Sequence, residues 1–594
     1  MRDRRGSDSW SRDSREASYD EVSRKRYGTG NGLLGFGAGG GKLPQVFIAF
    51  LCILVILVAR LAYIQIIDGK KYADLAEKRR TNTQVLQARR GTIYDRKGNV
   101  LAKSEECYDV YCNPMEVTDT EAEAELLAKW LGGDAQAYEK FLTQNSTFVY
   151  IQRKAEKQAC ESLRKDLLAS KQAGVYLLEQ TRRVYPYGAV CGQILGLVNV
   201  DNEGISGLEL KYNDELSGVD GEMIMETGLQ GIPIAGAAAK ITEPRDGKDL
   251  VLSIDIDAQK FVEDQIAVAT KENEAESGFA MVCDPRDGSI LAACSTPYAD
   301  LTKPEAISGN ELNLKLVSSS YDPGSIFKVL TEAIGLESGK VQASDYFTMP
   351  GTILVGYDIV TDEDGRWEPE NMNLREVLRR SSNVGAAYIA QECIGADAFA
   401  EGIERFGIGT LTGIDYPGET AGMVKSRSQY DGSSVGSMSF GQGLTIPMVQ
   451  MVRAVGAIAN SGKLCTPHFA TAVGGKEIKW ETQGEAISEG TAQKITDMMR
   501  TVVEDGTGYT AAVDGYDVAA KTGTGEQAEN GTYLKGKYLA SLIGFAPASN
   551  PEVLLYVGLN ETPYISYSSA GPVFSAIMGE VLKDMGVLSS SWDE

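Results

Sequence analysis

Serine, lysine, asparagine and threonine recur in three short groupings whose spacing suits acyl transfer: Ser325-Ile326-Phe327-Lys328, Ser381-Ser382-Asn383 and Lys521-Thr522-Gly523-Thr524. A serine hydroxyl is a weak nucleophile until a nearby base takes its proton. Ser325 and Lys328 follow Pro323-Gly324, which opens a helix, so the two side chains share a face of its first turn. The helix start brings N–H groups and partial positive charge to the nucleophile. Phe327, Val329 and Leu330 would desolvate Lys328, which lowers a lysine pKa enough for it to act as a base at neutral pH. The third grouping follows the strand-like Val518-Ala519-Ala520, and an exposed strand edge can add an extended peptide. There Lys521 supplies positive potential for a carboxylate, Thr524 a hydroxyl for it, and Gly523 room for close approach. The backbone N–H groups of Ser325 and Thr524 are expected to form an oxyanion hole. Ser381-Ser382-Asn383 lies between two helical segments; alone it reads as a helix cap, with Ser382 only packing.

Each grouping is weak by itself. Ser162-Leu163-Arg164-Lys165 repeats the first in a charged helical stretch, and Ser308-Gly309-Asn310 repeats the second on the wrong side of Ser325. Gly432-Ser433-Ser434-Val435-Gly436 matches a nucleophile elbow without its strand-turn-helix setting or a partner histidine. The single histidine, His468, has no nucleophile or ligand cluster beside it, which leaves lysine or a carboxylate as the base of any serine enzyme and argues against a multi-histidine metal site. Nine cysteines without CxxC spacing read as small buried hydrophobes.

These residues must be positioned by more than one folded unit, since 594 residues exceed what a single core can serve. The formal charge is −24, and it is uneven: residues 1–42 carry +3 and everything from Asp68 onward −28. An acidic body argues against nucleic acid as a partner. The tail, 1–42, has almost nothing to bury and is expected to be disordered; its Gly30-Asn31-Gly32-Leu33-Leu34-Gly35 lacks the βαβ context of a dinucleotide site. Val46–Ile67 is an apolar run of 22 residues, about 33 Å as a helix and enough to cross a bilayer, with Arg60 near one end able to snorkel. Arg89–Ala102 reads as strand, Asp/Gly turn, strand, and Glu243–Asp249 as a polar domain boundary. Beyond it we expect a helix capped by Asp255 or Asp257 and a hairpin of Phe279–Cys283 with Ser289–Cys294. Further helices are expected to start at Pro323/Gly324, at Asn373 (with Glu376 in a capping-box position), at Pro447 and at Pro572. Strands are expected over Val518–Thr522, Leu539–Phe545 and Val553–Leu559.

Taken in order, the three groupings are the Ser-x-x-Lys, Ser-x-Asn, Lys-Thr-Gly set of penicillin-binding proteins and serine β-lactamases. Arg89–Ala102, Arg183–Gly188 and Gly204–Glu209 resemble the pedestal module of class B penicillin-binding proteins. Phe406–Glu419, Ser439–Leu444 and Ser382-Asn383-Val384-Gly385 resemble their division and sporulation branch, with Ile326 standing where threonine is common, a change of packing rather than chemistry. The resemblance covers roughly residues 46–588 and implies an α/β (α+β) protein. It divides into a cytoplasmic tail (1–42), a transmembrane helix (43–67), a pedestal (68–246) and a transpeptidase domain (247–588) whose antiparallel sheet is flanked by helices. It implies Ser325, Lys328, Ser381, Asn383 and Lys521 as catalytic residues and Thr522, Gly523 and Thr524 as substrate-binding ones. In that scheme Ser381 relays a proton to the leaving group and Asn383 bonds the substrate amide. The implied reaction is D,D-transpeptidation of peptidoglycan stem peptides, without metal or cofactor and trapped by β-lactams. The body would lie outside the cell membrane, alongside a polytopic glycan polymerase and divisome-type proteins. A β-lactamase or carboxypeptidase, a β-lactam sensor and an inactive divisome scaffold are the rival readings.

Overall fold

The computed structural model describes residues 43–72, 81–226, 240–529 and 532–589; the tail expected to be disordered lies outside the described residues. The described residues fall into two compact units, 43–72 with 81–82 and 226 in one, and 83–225 with 240–529 and 532–589 in the other. In the first, Leu43–Ala62 is helix α1, continued by a wider π-type turn over Tyr63–Ile67. Gln45–Ile67 has a mean hydropathy of 2.7 and its most apolar stretch has no buried residue. A core helix would be buried; an apolar surface this large and uncovered suits lipid.

In the second unit the predicted strand–turn–strand is β1 (Ile93–Tyr94) and β2 (Val100–Cys112). The Asp95 carboxylate holds the turn by accepting the N–H groups of Lys97 and Asn99 at 2.9 and 2.7 Å. Helices α2 (Thr120–Leu131) and α3 (Ala135–Leu142) each start at an aspartate, Asp119 and Asp134, whose side chain accepts a first-turn N–H. Strand β3 (Val149–Glu156), helix α4 (Lys157–Ala169) and strand β4 (Val175–Val184) complete the pedestal. Both β3 and β4 pair antiparallel with β2. Tyr108, Val110 and Cys112, two residues apart along β2, share one core with Leu127, Cys160 and Leu163 of the helices.

The three stretches read separately in the sequence meet in a buried ion network. Glu209 bonds Arg90 Nε at 2.5 Å and Arg183 Nε at 2.6 Å, with none of these side chains more than 2% exposed. Near the expected boundary, β5 (Leu250–Leu252) pairs parallel with β1, so one sheet runs from the pedestal into the C-terminal part of the chain.

There, α5 (Ile256–Glu272) is capped by Asp255 rather than Asp257, the former accepting the latter's N–H. Strands β6 (Ser277–Cys283) and β7 (Ile290–Ser295) form the predicted hairpin. Helix α6 (Lys328–Glu337) follows a 3₁₀ turn, Gly324–Phe327, so the helix predicted at Pro323/Gly324 opens in the tighter form common at helix starts. A hairpin of β8 (Thr352–Val355) and β9 (Asp358–Thr361) leads to α7 (Leu374–Arg380), capped by Asn373 as expected, and α8 (Asn383–Tyr388). The capping box is only half made, because Glu376 pairs with Arg379 at 2.9 Å. Helices α9 (Met448–Ala459) and α10 (Glu489–Asp505) precede β10 (Ala519–Glu529), β11 (Thr532–Ala546) and β12 (Val553–Thr562). Helix α11 (Ala570–Asp584) has Pro572 in its first turn rather than at its start.

The five strands form one antiparallel sheet in the order β7-β6-β12-β11-β10. It is buried on both faces. Ala280 and Val282 pack with Val262, Phe574 and Ile577 of α5 and α11, while their neighbours Phe279, Met281 and Cys283 join the core that contains Phe327, Leu330 and Val455. Strand β10 ends the sheet and carries the candidate residues Lys521 to Thr524.

Candidate active site

The nucleophile turn is fixed by a backbone contact that the sequence does not advertise. Gly324 takes φ +59° and donates its N–H to the Gly441 carbonyl at 3.0 Å. Gly441 has φ +79°, and a Cβ there would lie 2.1 Å from the Gly324 oxygen, so the glycine is obligatory at this crossing. Gly441 belongs to the Ser439–Leu444 stretch, which thereby acquires a physical reason: it holds the turn that presents Ser325.

Lys328 is fully buried, and its Nζ is the hub of the site. It lies 2.9 Å from Ser325 Oγ, 2.6 Å from the Ser381 carbonyl, 3.3 Å from Ser381 Oγ and 2.7 Å from Asn383 Oδ1. Burial lowers its pKa to about 7, against the opposing pull of Asp362, Glu363 and Glu332. Near neutral pH it can therefore hold or release a proton.

Ser381 reaches Lys328 by an unusual route. Helix α7 ends on Ser381 in the left-handed conformation, φ 59° and ψ 40°, and Ser382 then caps α8 by accepting the Gly385 N–H at 2.8 Å. The Asp362 carboxylate ties this turn down, accepting from Ser382 Oγ at 2.7 Å, the Val384 N–H at 3.0 Å and Arg366 Nη2 at 3.1 Å. Such over-determination is what keeps a non-glycine residue left-handed. Ser382 thus does more than the packing expected of it, and Asp362 was not singled out in the sequence because it lies 19 residues before Ser381 with no motif of its own.

Lys521, also fully buried, donates from Nζ to Ser381 Oγ and to its neighbour's carbonyl, Thr522 O, both at 2.9 Å. Its pKa is pushed far down by burial and then by Lys328. One hydroxyl, that of Ser381, therefore bridges two lysines whose ammonium forms repel. Thr522 pairs with Thr507, oxygen to oxygen at 3.0 Å, and Thr524 pairs with Ser566 at 3.0 Å. Gly523 donates no side chain; a Cβ there would come within 2.6 Å of Ser541 Oγ and 2.8 Å of Ile326 Cγ2. The glycine is thus required for β10 to press against the nucleophile turn, and Ile326 is the side chain it presses against.

All eight sequence-selected residues converge at one place. Ser325, Ser381, Thr522 and Thr524 open onto a cleft of about 130 Å³, whose other walls include Thr507, Glu363 and Ser566. The decoys do not. Ser162 Oγ donates to the Gln158 carbonyl on the surface of α4, and Ser434 Oγ belongs to a turn built on Asp431. His468 is buried, with Nδ1 2.9 Å from the Thr466 carbonyl and its ring stacked 4.6 Å from that of Trp480. Six cysteines are buried, as the sequence implied, and all nine are free thiols.

The arrangement has the geometry of serine acyl transfer with a lysine base, and the sequence carries two family signatures around it. Residues 278–579 match the penicillin binding protein transpeptidase domain, and residues 85–252 the penicillin-binding protein dimerisation domain. The chain belongs to the class B penicillin-binding proteins. Stage V sporulation protein D of Bacillus subtilis is 31% identical over 91% of this chain and 85% of its own. Peptidoglycan D,D-transpeptidase FtsI of Buchnera aphidicola is 29% identical over 90% and 93%. The crystal structure of penicillin binding protein 2X from Streptococcus thermophilus superimposes with a TM-score of 0.72 at 26% identity, covering 84% of this chain and 80% of that one. This class B penicillin-binding protein is a peptidoglycan D,D-transpeptidase, and its apolar helix α1 fits a single-pass membrane anchor.

Proposed function

We propose that Ser325 is the acylated residue and that the two buried lysines and Ser381 move its proton. Neutral Lys328 takes the Ser325 proton as Oγ attacks the carbonyl of the penultimate D-alanine. The oxyanion is met by the backbone N–H groups of Ser325 and Thr524, each such donor being worth roughly 10²–10³ in rate. Collapse breaks the C–N bond, and the proton passes from Lys328 through Ser381 Oγ to the departing D-alanine amine. Asn383 and the β10 edge from Thr522 to Thr524 hold the donor peptide, and Lys521 keeps Ser381 oriented. The acyl group then passes to an amine of a second stem, the new C–N bond forming as the Ser325 C–O bond breaks.

The observation that carries this reading is the position of Lys328 Nζ, buried and 2.9 Å from Ser325 Oγ with a pKa brought to about 7. The same reading puts residues 1–42 in the cytoplasm, the domains 68–246 and 247–588 outside, and the enzyme in septum synthesis during division or sporulation beside a polytopic glycan polymerase. Its support is the likeness to the sporulation protein of Bacillus subtilis and to the D,D-transpeptidase FtsI of Buchnera aphidicola. The direct test is intact-mass analysis with benzylpenicillin. We expect one stable adduct on the wild-type protein and none on Ser325→Ala; an adduct that survives Ser325→Ala would remove Ser325 from this role, and one that hydrolyses within seconds would point to a β-lactamase.

A further inference from the structure

Transpeptidation requires a second substrate that is an amine, and an alkylamine is an ammonium ion at neutral pH, with a pKa near ~10.4 for a lysine-like amine. Of the residues that line the cleft, all carry hydroxyls or apolar groups except one, Glu363. Lys328 and Lys521 are both fully buried, so neither presents its charge at the surface. Glu363 is therefore the one formal charge among the cleft's lining residues, and an exposed charge attracts ligands of the opposite sign.

Glu363 sits in the run Asp362-Glu363-Asp364-Gly365-Arg366, where its neighbours are employed. Asp362 fixes the Ser382 hydroxyl and the Val384 N–H, and Asp364 accepts the Arg366 N–H at 3.0 Å and pairs with Arg380 at 3.4 Å. Glu363 is exposed and has no hydrogen bond or ion pair among the described residues. Its backbone is nevertheless anchored, because Asp362 is tied to the turn that carries Ser381. The chain thus holds, beside Ser325, a carboxylate with no hydrogen bond or ion pair among the described residues, whose charge acts from a distance on Lys328 and Lys521.

We propose that Glu363 is the residue that receives the acceptor ammonium and selects for an amine over water in the second half-reaction. This rests on the assignment of Ser325 as the acylated residue. The ammonium docks against the Glu363 carboxylate and releases one proton to solvent; the neutral nitrogen then attacks the acyl carbonyl. The C–N bond forms, the Ser325 C–O bond breaks, and the nitrogen's second proton passes through Lys328 to Ser325 Oγ, restoring the free enzyme. Glu363 is an acceptor-binding residue in this scheme; its charge also opposes the burial-lowered pKa of Lys328.

The test uses the full-length protein in detergent, a D-alanyl thioester as acyl donor and Nα-acetyl-lysinamide as the amine. E363Q is expected to raise the acceptor KM about tenfold, the loss of one charge pair in a partly shielded cleft. The acceptor KM is compared on the high-pH plateau of acylation, because losing the Glu363 charge, which pulls the Lys328 pKa up, also moves the acylation profile to lower pH; E363D should recover most of the affinity. Added salt should weaken the acceptor in the wild type and not in E363Q. An unchanged acceptor KM overturns the proposal, as does a wild type that acylates but never transfers to the amine. So does an E363Q acylation rate that stays lowered on the high-pH plateau, which would place Glu363 in acylation itself. Absence of any benzylpenicillin adduct on wild-type Ser325 would instead sink the site assignment beneath it.

Discussion

Lys328 and Lys521 flank a single hydroxyl, that of Ser381, at 3.3 and 2.9 Å. Two ammonium ions so placed, both fully buried, would repel strongly at the low effective dielectric of a buried site. Burial lowers both pKa values, that of Lys328 to about 7, and the Lys328 charge lowers that of Lys521 further. The sign of the resulting pH dependence is definite. The base must be neutral to take the Ser325 proton, and a lysine is neutral above its pKa, so acylation by benzylpenicillin should rise with pH through about 7 and level off above it. Below pH 6 the rate should fall close to tenfold per unit, as measured by stopped-time mass spectrometry. Lys328→Arg keeps the charge but cannot release the proton. It should lose roughly 10²–10⁴ in acylation, the usual worth of a general base, while thermal unfolding shows a folded protein.

At the scale of elements, the site is assembled where the 3₁₀ turn before α6, the turn between α7 and α8 and the edge strand β10 meet, and glycines let them come together. Gly441 crosses Gly324 backbone to backbone, and Gly523 lets β10 lie on Ile326. Gly441→Ala would add a Cβ 2.1 Å from the Gly324 carbonyl oxygen at a positive φ of 79°. Either the turn or the 439–444 segment must shift, displacing Ser325 from Lys328. We expect acylation to drop at least about 10²-fold, since displacements of about 1 Å cost that much in a positioned site. Melting should fall by several degrees. An alanine variant with wild-type acylation would show that the crossing does not position the nucleophile.

At the scale of the whole molecule, Glu209 pins together β1's leader at Arg90, the end of β4 at Arg183 and its own helical turn. Removing the carboxylate would leave two guanidinium groups buried without their counter-charge. Glu209→Ala is expected to cost about 3–5 kcal/mol, the usual penalty for stranding one side of a buried ion pair, measured by denaturant unfolding. A loss under about 1 kcal/mol would mean that solvent reaches the two arginines and the network is dispensable.

Local chemistry made much of this protein legible from its residues. Apolar run length gave the anchor helix, Asp255 or Asp257 and Asn373 gave helix starts, the Asp284–Gly288 turn gave the β6–β7 hairpin, and the order of the three groupings brought together the eight candidate residues that the tertiary structure gathers. These signals are carried by neighbours in the chain. What the sequence left hidden depends on groups far apart in it: Asp362 fixing Ser382, Gly441 touching Gly324, and Glu363 at the cleft mouth. Lys521 illustrates the difference. Its residue type suggested a cation for a substrate carboxylate; its full burial and its 2.9 Å hydrogen bond to Ser381 Oγ, the basis of the orienting role proposed for it, come only from the fold. Charge state and exposure are properties of the surroundings, and only the folded chain supplies those surroundings.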